Sequence, residues 1–395
     1  MSPMTPPSEI GINGYRIIRY QSKQMMELIV KPSELRPKAC PCCGGGSLHS
    51  KGHYRRHARH LEFFGKFSKL IVECRRFRCI DCKKSFVQPL PGISPGRHST
   101  EPFRERIYLD HHEGICGKRL ATRTQIGSAT VERIYQQFTH RKAKERLSRK
   151  CPEVLGIDEH TLHKGCRFAT TFCDLKRHRV FDIAEGKSAQ DLESFLKSLQ
   201  GRDKVRIVCM DLSASYRALV KQYFPHARIV ADRFHVIRIV QYHFMDLCRQ
   251  IAPSIKQHRG YLAALRKHPQ RLTDLQRSRL DQLFSNHPAL RAIYDQLQRV
   301  CDLMRKKHQQ AIHCRPLAHH FIHLISQLAH SHFTPLVTLA KTLNSWQEEI
   351  ACMWRFTKNN GITEGFHRKM KLIQRRAYGF RNFNNYRLRV IAQCG

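Results

Sequence analysis

Asp158 in VLGIDEH and Asp211 in RIVCMD each end a short apolar, β-branched run, and Glu364 opens the basic amphipathic segment GITEGFHRK. The chain carries 70 Lys and Arg against 31 Asp and Glu, so a carboxylate at a strand end in this background calls for a reason. Three that converge would take a hard divalent cation, Mg²⁺ or Mn²⁺, through oxygen. A pair of such ions activates an attacking water or 3′-hydroxyl and stabilises a leaving 3′-oxygen, which is phosphodiester chemistry. Asp after a strand is also a common turn residue or helix cap, and Glu159, Asp174 and Asp232 are equally available acids. Spacing alone leaves the set Asp158, Asp211 and Glu364 open, and it does not separate hydrolysis from strand transfer.

The cysteines form a second constellation. Cys40 with Cys43 and Cys79 with Cys82 are two CxxC pairs, each turning two thiolates to one side of a tight loop. Together they predict a tetrahedral Zn²⁺ site of structural type. GHYRRHARH and KLIVECRRFRC lie between the pairs and alternate as strands do, giving a zinc ribbon that needs its metal to fold. Cys42 sits beside Cys43 in CPCCGG and competes with it for the ligand register.

Positioning these groups requires three kinds of element. After the Pro/Gly-rich stretch PLPGISPGRHS, the spacing of Leu120, Ile126, Val131 and Ile134 predicts a helix-turn-helix with a corner at Gly127-Ser128. Ser128 would cap a second helix running to about Phe138. That helix would enter a DNA groove and expose Thr130, Glu132 and Arg133. From 154 onward VLGID, RFATTFCDL and HRVFDIAEG read as three strands. A helix starting at Ser188, the strand KVRIVCMD, the helix SASYRALVKQYFP and the strand ARIVADRFH follow. This is the order of a ribonuclease-H-like fold, in which the first and fourth strands are neighbours and bring Asp158 to Asp211.

Much of 236–355 is periodic in the helical sense and too long for a loop, so it reads as a helical insertion. His319 and His323 share the i, i+4 spacing of two metal ligands, but a packed or exposed basic helix is the simpler account. After Glu364, the residues Arg368, Lys369, Lys371, Arg375 and Arg376 are placed to hold the phosphates of a strand. Gly379 ends that helix, and Tyr378, Phe380 and Phe383 are expected to anchor the C-terminus as core.

The net charge of +39 points to a polyanionic partner. No apolar run reaches the about 18 residues needed to span a bilayer, and MSPMTPPSE lacks a secretory pattern. The 16 cysteines, some of them paired as in metal sites, fit a reducing compartment better than a disulfide framework. The expected architecture is multidomain α/β. It runs through an N-terminal extension (1–35), a zinc ribbon (36–92), a helix-turn-helix DNA-binding domain (99–145) and the first part of a ribonuclease-H-like catalytic core (152–240). A helical insertion (241–355) and a C-terminal helix carrying Glu364 (356–395) complete it.

From Cys40 to Ala392 the chain resembles bacterial insertion-sequence transposases of the DDE type, in the family named for the L-three element of lactobacilli. The likeness rests on LGIDE around Asp158, on the strand ending in Asp211 with Tyr216 following, and on FPHARIVADRFHV at 224–236. NNGITEGFHRKMKLIQRRAYGFRNFNNYRLRV at 359–390 is its most specific block. The resemblance implies that Asp158, Asp211 and Glu364 are the catalytic Mg²⁺ ligands. It makes Asp232 and His235 an accessory acidic-x-x-His element, and gives the ribbon and the helix-turn-helix to DNA binding. DNA contacts would come from Thr130, Arg133, Arg368, Lys371 and Arg375. The implied partners are double-stranded DNA, as element ends and target, and further copies of the chain, acting in the cytoplasm on nucleoid DNA with no membrane. Cys42 and the ICGKRLATRTQIG segment, where a more alanine-rich helix is usual, depart from the family pattern. A metal-dependent nuclease without strand transfer and a zinc-dependent DNA-binding regulator are the competing readings.

Overall fold

The computed structural model describes residues 11–22, 24–147, 150–163, 166–308, 310–356 and 361–395. They form two compact units, Met1–Lys142 and Ala143–Gly395.

The first unit begins with a sheet of β1 (Tyr15–Ser22), β2 (Met26–Pro32), β3 (Leu48–Phe63), β4 (Lys66–Cys79) and β5 (Ser85–Val87). The strand order is β1-β2-β4-β3, with β5 also on β4. β3 and β4 are one long hairpin turned at Phe64-Gly65, where both residues have positive φ (50° and 72°), as a tight two-residue turn demands. Residues 15–32, expected to stand apart as an extension, instead supply two strands of this sheet. Their period-2 pattern buries Leu28 and Val30 against Leu70 and Val72, so the ribbon has a core of its own beside the cysteines.

Three helices follow: α1 (Glu101–His112), α2 (Gly117–Thr124) and α3 (Ser128–Arg146). Leu120, Val131 and Ile134 are buried with Phe103, Ile107 and Phe138, as the spacing predicted. Ser128 is the first helical residue rather than the cap. The Gly127 carbonyl accepts from Val131 N at 3.1 Å, and Gln125 makes the turn in a left-handed conformation. The helix continues well past Phe138, to Arg146, and Ala143 on this extension is also buried. Arg133 is exposed, whereas Thr130 and Glu132 are half-buried.

The second unit holds β6 (Val154–His163), β7 (Arg167–Asp174), β8 (Arg179–Glu185), α4 (Ala189–Ser198), β9 (Ile207–Met210), α5 (Ala214–Tyr223), β10 (Arg228–Ala231) and α6 (Arg233–Ile251). The sheet order is β10-β9-β6-β7-β8, with β6, β9 and β10 parallel and β6, β7 and β8 antiparallel. This is the ribonuclease-H-like arrangement. Ser188 caps α4 in a capping box with Asp191.

Beyond the sheet lie α7 (Arg259–Leu265), α8 (Asp274–Asn286), α9 (Pro288–Arg305), α10 (Ala311–Ala329), α11 (Thr334–Ser345), α12 (Gln347–Arg355), α13 (Gly361–Arg376) and α14 (Phe383–Cys394). The insertion does not start cleanly at 241, since α6 runs unbroken from the sheet into it. The helical stretch is broken before Pro288, which takes a helix's first position, and at Trp346. His319 and His323 lie exposed on α10, and no cluster of three metal-ligating groups includes them among the described residues. No described helix is long and apolar enough to cross a membrane.

Insertion and sheet share one apolar core, and one buried and two half-buried arginines tie the elements of this unit together. Arg233 donates to the carbonyls of Met304 (2.9 Å), Lys306 (3.2 Å) and Met353 (2.6 Å), pinning the end of α9 and α12 to the start of α6. Arg217 reaches Glu349 at 2.9 Å and lies 3.4 Å over the Trp346 ring. Arg387 on α14 donates to both oxygens of Asp182 on β8, at 2.6 Å each. An Arg233→Met variant would take the donor from those three carbonyls, two of them in buried bonds. It is expected to lose about 2–4 kcal/mol of stability, read by urea denaturation against the parent chain.

α13 ends in an unusual way. Gly379 N donates to Gln374 O at 3.0 Å, closing a Schellman-type cap whose left-handed position is filled by Tyr378 (φ 53°). Glycine is the usual residue there, and a side chain costs about 1 kcal/mol. Phe380 and Phe383 pack on Tyr386 as expected. Tyr378 does not, because its backbone turns the ring outward, and it is 93% exposed.

Candidate active site

The site follows from strand register. The parallel pairing of β6 with β9 ends at Ile157↔Met210, so the next residues, Asp158 and Asp211, emerge side by side. Asp158 is not a strand terminus: β6 continues beyond it against β7, where Asp158 pairs with Thr171. The shorter β9 stops there, and the Asp158 side chain is buried beside Asp211 past its end. Asp232 follows β10 in the same layer, its N–H donating to Met210 O at 2.8 Å.

His235, in the first turn of α6, joins two of these acids. Its Nδ1 lies 2.7 Å from Asp211 Oδ1 and 2.7 Å from Asp232 Oδ2. Ligand atoms of Asp158, Asp211 and His235 all fall within 4.8 Å of one another. Burial pulls the imidazole toward the neutral form. The hydrogen bonds and charges of Asp211 and Asp232 outweigh it and raise His235 to about 9. Asp158 is pushed up to about 7, first by burial and then by the Asp211 charge, with His235 opposing. A buried carboxyl facing another carboxylate fits a divalent cation, which would relieve both effects. Asp158 and Asp211 have the hard oxygen donors for it.

Glu364 stands elsewhere. It is exposed on α13 and pairs with Arg368 at 2.9 Å, the i+4 partner that the helical repeat presents. The residue of α13 that faces Asp158 is His367, whose Nδ1 lies 3.6 Å from Asp158 Oδ2 while its Nε2 is 3.0 Å from Thr171 Oγ1. Burial holds His367 down to about 3, with His160 and Lys371 adding to the effect. His160 packs 5.0 Å from it, ring to ring, and meets Tyr386 OH at 2.9 Å. Sequence reasoning missed His160 and His367. The available signal was their position, two residues after Asp158 and three after Glu364.

Arg368, Lys371 and Arg375 are all exposed on α13, at the i, i+3, i+7 spacing of one stripe. In the first unit, Thr130 and Arg133 line a cleft of about 380 Å³ together with Arg59, Arg97, His98 and Arg104.

The four cysteines meet as spaced. Cys40 and Cys82 sulfurs are 3.7 Å apart and Cys43 and Cys79 sulfurs 3.6 Å, with all four within 4.8 Å. A tetrahedron with Zn–S bonds of about 2.3 Å has edges of about 3.8 Å, so these residues are a zinc site. Cys42 lies outside it, exposed, with Lys84 Nζ at 3.2 Å from its sulfur. Gly45 closes the first CxxC turn, where a Cβ would sit 2.0 Å from Asp81.

A zinc ribbon ahead of a ribonuclease-H-like sheet with paired acids at its first and fourth strands defines a DDE-type transposase, an enzyme of the polynucleotidyl transferase class. Residues 36–82 match the zinc finger of the transposases of IS204, IS1001, IS1096 and IS1165. Residues 155–390 match the ISL3 family of DDE transposases, whose description is transposase. The chain is also 26% identical to the transposase for insertion sequence element IS1001 of Bordetella parapertussis, over 97% of its own length and 96% of that protein. The chain belongs to the ISL3 family of insertion-sequence transposases.

Proposed function

We propose that the protein cuts DNA at the ends of its own insertion element and joins the freed 3′-hydroxyl to target DNA, using Asp158, Asp211 and Glu364 as Mg²⁺ or Mn²⁺ ligands. The observation that carries the reading is the β6–β9 register, which sets Asp158 beside Asp211 in a buried, carboxylate-rich corner. A third carboxylate must come from a neighbouring element. α13 touches Asp158 through His367, and Glu364, one turn earlier, is the sole acid on that helix. Divalent ions bound there would activate the attacking hydroxyl and stabilise the leaving 3′-oxygen.

The chain's own groups do the rest. His235 lies between the Asp211 and Asp232 carboxylates, 2.7 Å from an oxygen of each, and so orients Asp211 within the site. Arg368, Lys371 and Arg375 grip the phosphates of the strand being cut. Residues 36–92 and 99–145 bind double-stranded DNA at the element ends, with Thr130 and Arg133 at the basic cleft. Several copies act together on paired ends, in the cytoplasm on nucleoid DNA.

The test is incubation of the purified protein with Mg²⁺ and a plasmid carrying the sequences that flank its gene, beside a Glu364→Gln variant. Nicks and joined ends at those boundaries are expected from the parent and not from the variant. Nicks without joined products would reduce the activity to a nuclease. Specific binding without cleavage by either protein, with Mn²⁺ and paired ends supplied, would leave a DNA-binding regulator. Boundary cleavage by both would remove Glu364 from the ligand set.

A further inference from the structure

The end of α13 away from Glu364 opens onto a cavity of about 610 Å³ that the cleavage chemistry does not use. This size lies within the range of about 300–1,000 Å³ typical of small-ligand sites. Tyr378, Phe380 and Phe383 line it, and so do Arg167, Arg381 and Gln374. Tyr378 offers its ring from a backbone position that glycine would fill without strain. A strained residue with an exposed aromatic face is a reason to look for a ligand. The Arg381 and Gln374 side chains have no hydrogen bond or ion pair among the described residues, and Arg167 pairs only with the exposed Glu185. Stacking surface, a free guanidinium and a free amide in one concavity match a nucleotide: base on ring, phosphate on cation, base edge on amide.

The approach to the cavity favours a nucleotide within DNA over a free one. Glu364, Arg368, Lys371, Arg375 and Tyr378 are exposed and follow one another at steps of three or four residues, which is a single stripe along the helix. A strand held by those cations reaches the cavity about 20 Å from Glu364, by helix rise, or about six base pairs along a duplex. No base can enter while stacked in the duplex. We infer that the cavity beneath Tyr378 receives one nucleotide extruded from the element-end DNA, about four to six positions from the cut. The inference rests on the proposed placement of cleavage at Glu364.

The experiment uses the full chain bound to a duplex of the element boundary, with Ca²⁺ in place of Mg²⁺. 5-Iododeoxyuridine is placed singly at successive positions, and photo-crosslinks are mapped by mass spectrometry. One position is expected to crosslink to Tyr378. Leaving that position unpaired is expected to tighten binding by about tenfold, since the cost of unstacking is then already met. Tyr378→Gly should lose both effects while melting no lower than the parent, and Tyr378→Trp should keep them. Crosslinks that map only to other residues, or an undiminished preference for the unpaired duplex in Tyr378→Gly, would overturn the inference and leave end recognition standing. A Tyr378 crosslink in a protein that neither cuts nor joins would sustain the cavity and sink the cleavage reading. Absence of boundary-specific binding would sink both.

Discussion

Replacing Asp211 with Asn is expected to lower strand cleavage at least about a thousandfold, because metal-bound charge stabilisation is worth several kcal/mol and each 1.4 kcal/mol is about tenfold. Asp232→Asn should cost less, about 10–100-fold, since Asp232 acts on the site through His235 and not directly. Single-turnover cleavage of a boundary duplex measures both. Equal losses would make Asp232 a ligand in its own right. Asp158→Asn should abolish cleavage too, but with an opposite effect on the metal-free fold. Asp158 has its pKa raised from 3.8 to about 7 in the folded chain, so the native state holds a proton that the unfolded chain releases. Its contribution to stability falls as pH rises from about 4 and levels off above about 7. The Asn variant has no such dependence. In chelator, its advantage over the parent should therefore grow across that window, to at most about 4 kcal/mol. Urea denaturation at pH 5 and pH 8 tests this. A constant difference would mean that Asp158 is not strained by its neighbours.

The features predicted from sequence and those missed differ in which interactions decide them. Strands β6 to β10 and the helix starting after Ser188 announce themselves locally, by β-branched runs, turn residues and a capping box. Once strand order is recognised, the pairing of Asp158 with Asp211 follows from topology. The zinc site is similarly local, since a CxxC turn fixes two ligands by itself. Strands β1 and β2 are less legible, because β2 takes its place in the sheet from β4, more than thirty residues on, β1 joins only through β2, and alternation states a face without stating a neighbour. His367 is signalled only by its position three residues after Glu364, because packing decides which residue of α13 meets Thr171, and the helical repeat offers Glu364 and His367 on nearly the same side. Hydrophobicity alone places Tyr378 in the core. Its exposure is set by a left-handed backbone at the helix end, which composition does not reveal.

The zinc ligands give the second large effect, through folding. Cys43→Ser or Cys79→Ser leaves three thiolates around the ion, and a structural zinc site can contribute about 10 kcal/mol or more to the fold it closes. The cysteine cluster has only Leu48, Phe77 and the half-buried Phe86 packed with it, too little apolar surface to replace such a contribution. The far end of the same sheet has its own core around Leu28, Val30, Leu70 and Val72, and the three helices another. Loss of zinc should therefore unravel the cysteine end of β3, β4 and β5 and spare the rest. Hydrogen exchange is expected to rise at 36–50 and 76–87 in either variant and to change little at 26–32, 66–72 and in α3. Zinc content, measured by atomic emission, should fall from one ion per chain to below that. Cys42→Ser separates the two possible registers of the first turn. Its sulfur faces Lys84 outside the cluster, so that variant should keep one zinc and parental protection throughout. If Cys42→Ser lost the ion and Cys43→Ser kept it, the ligand register would be one residue earlier, and Gly45 would no longer need to clear Asp81.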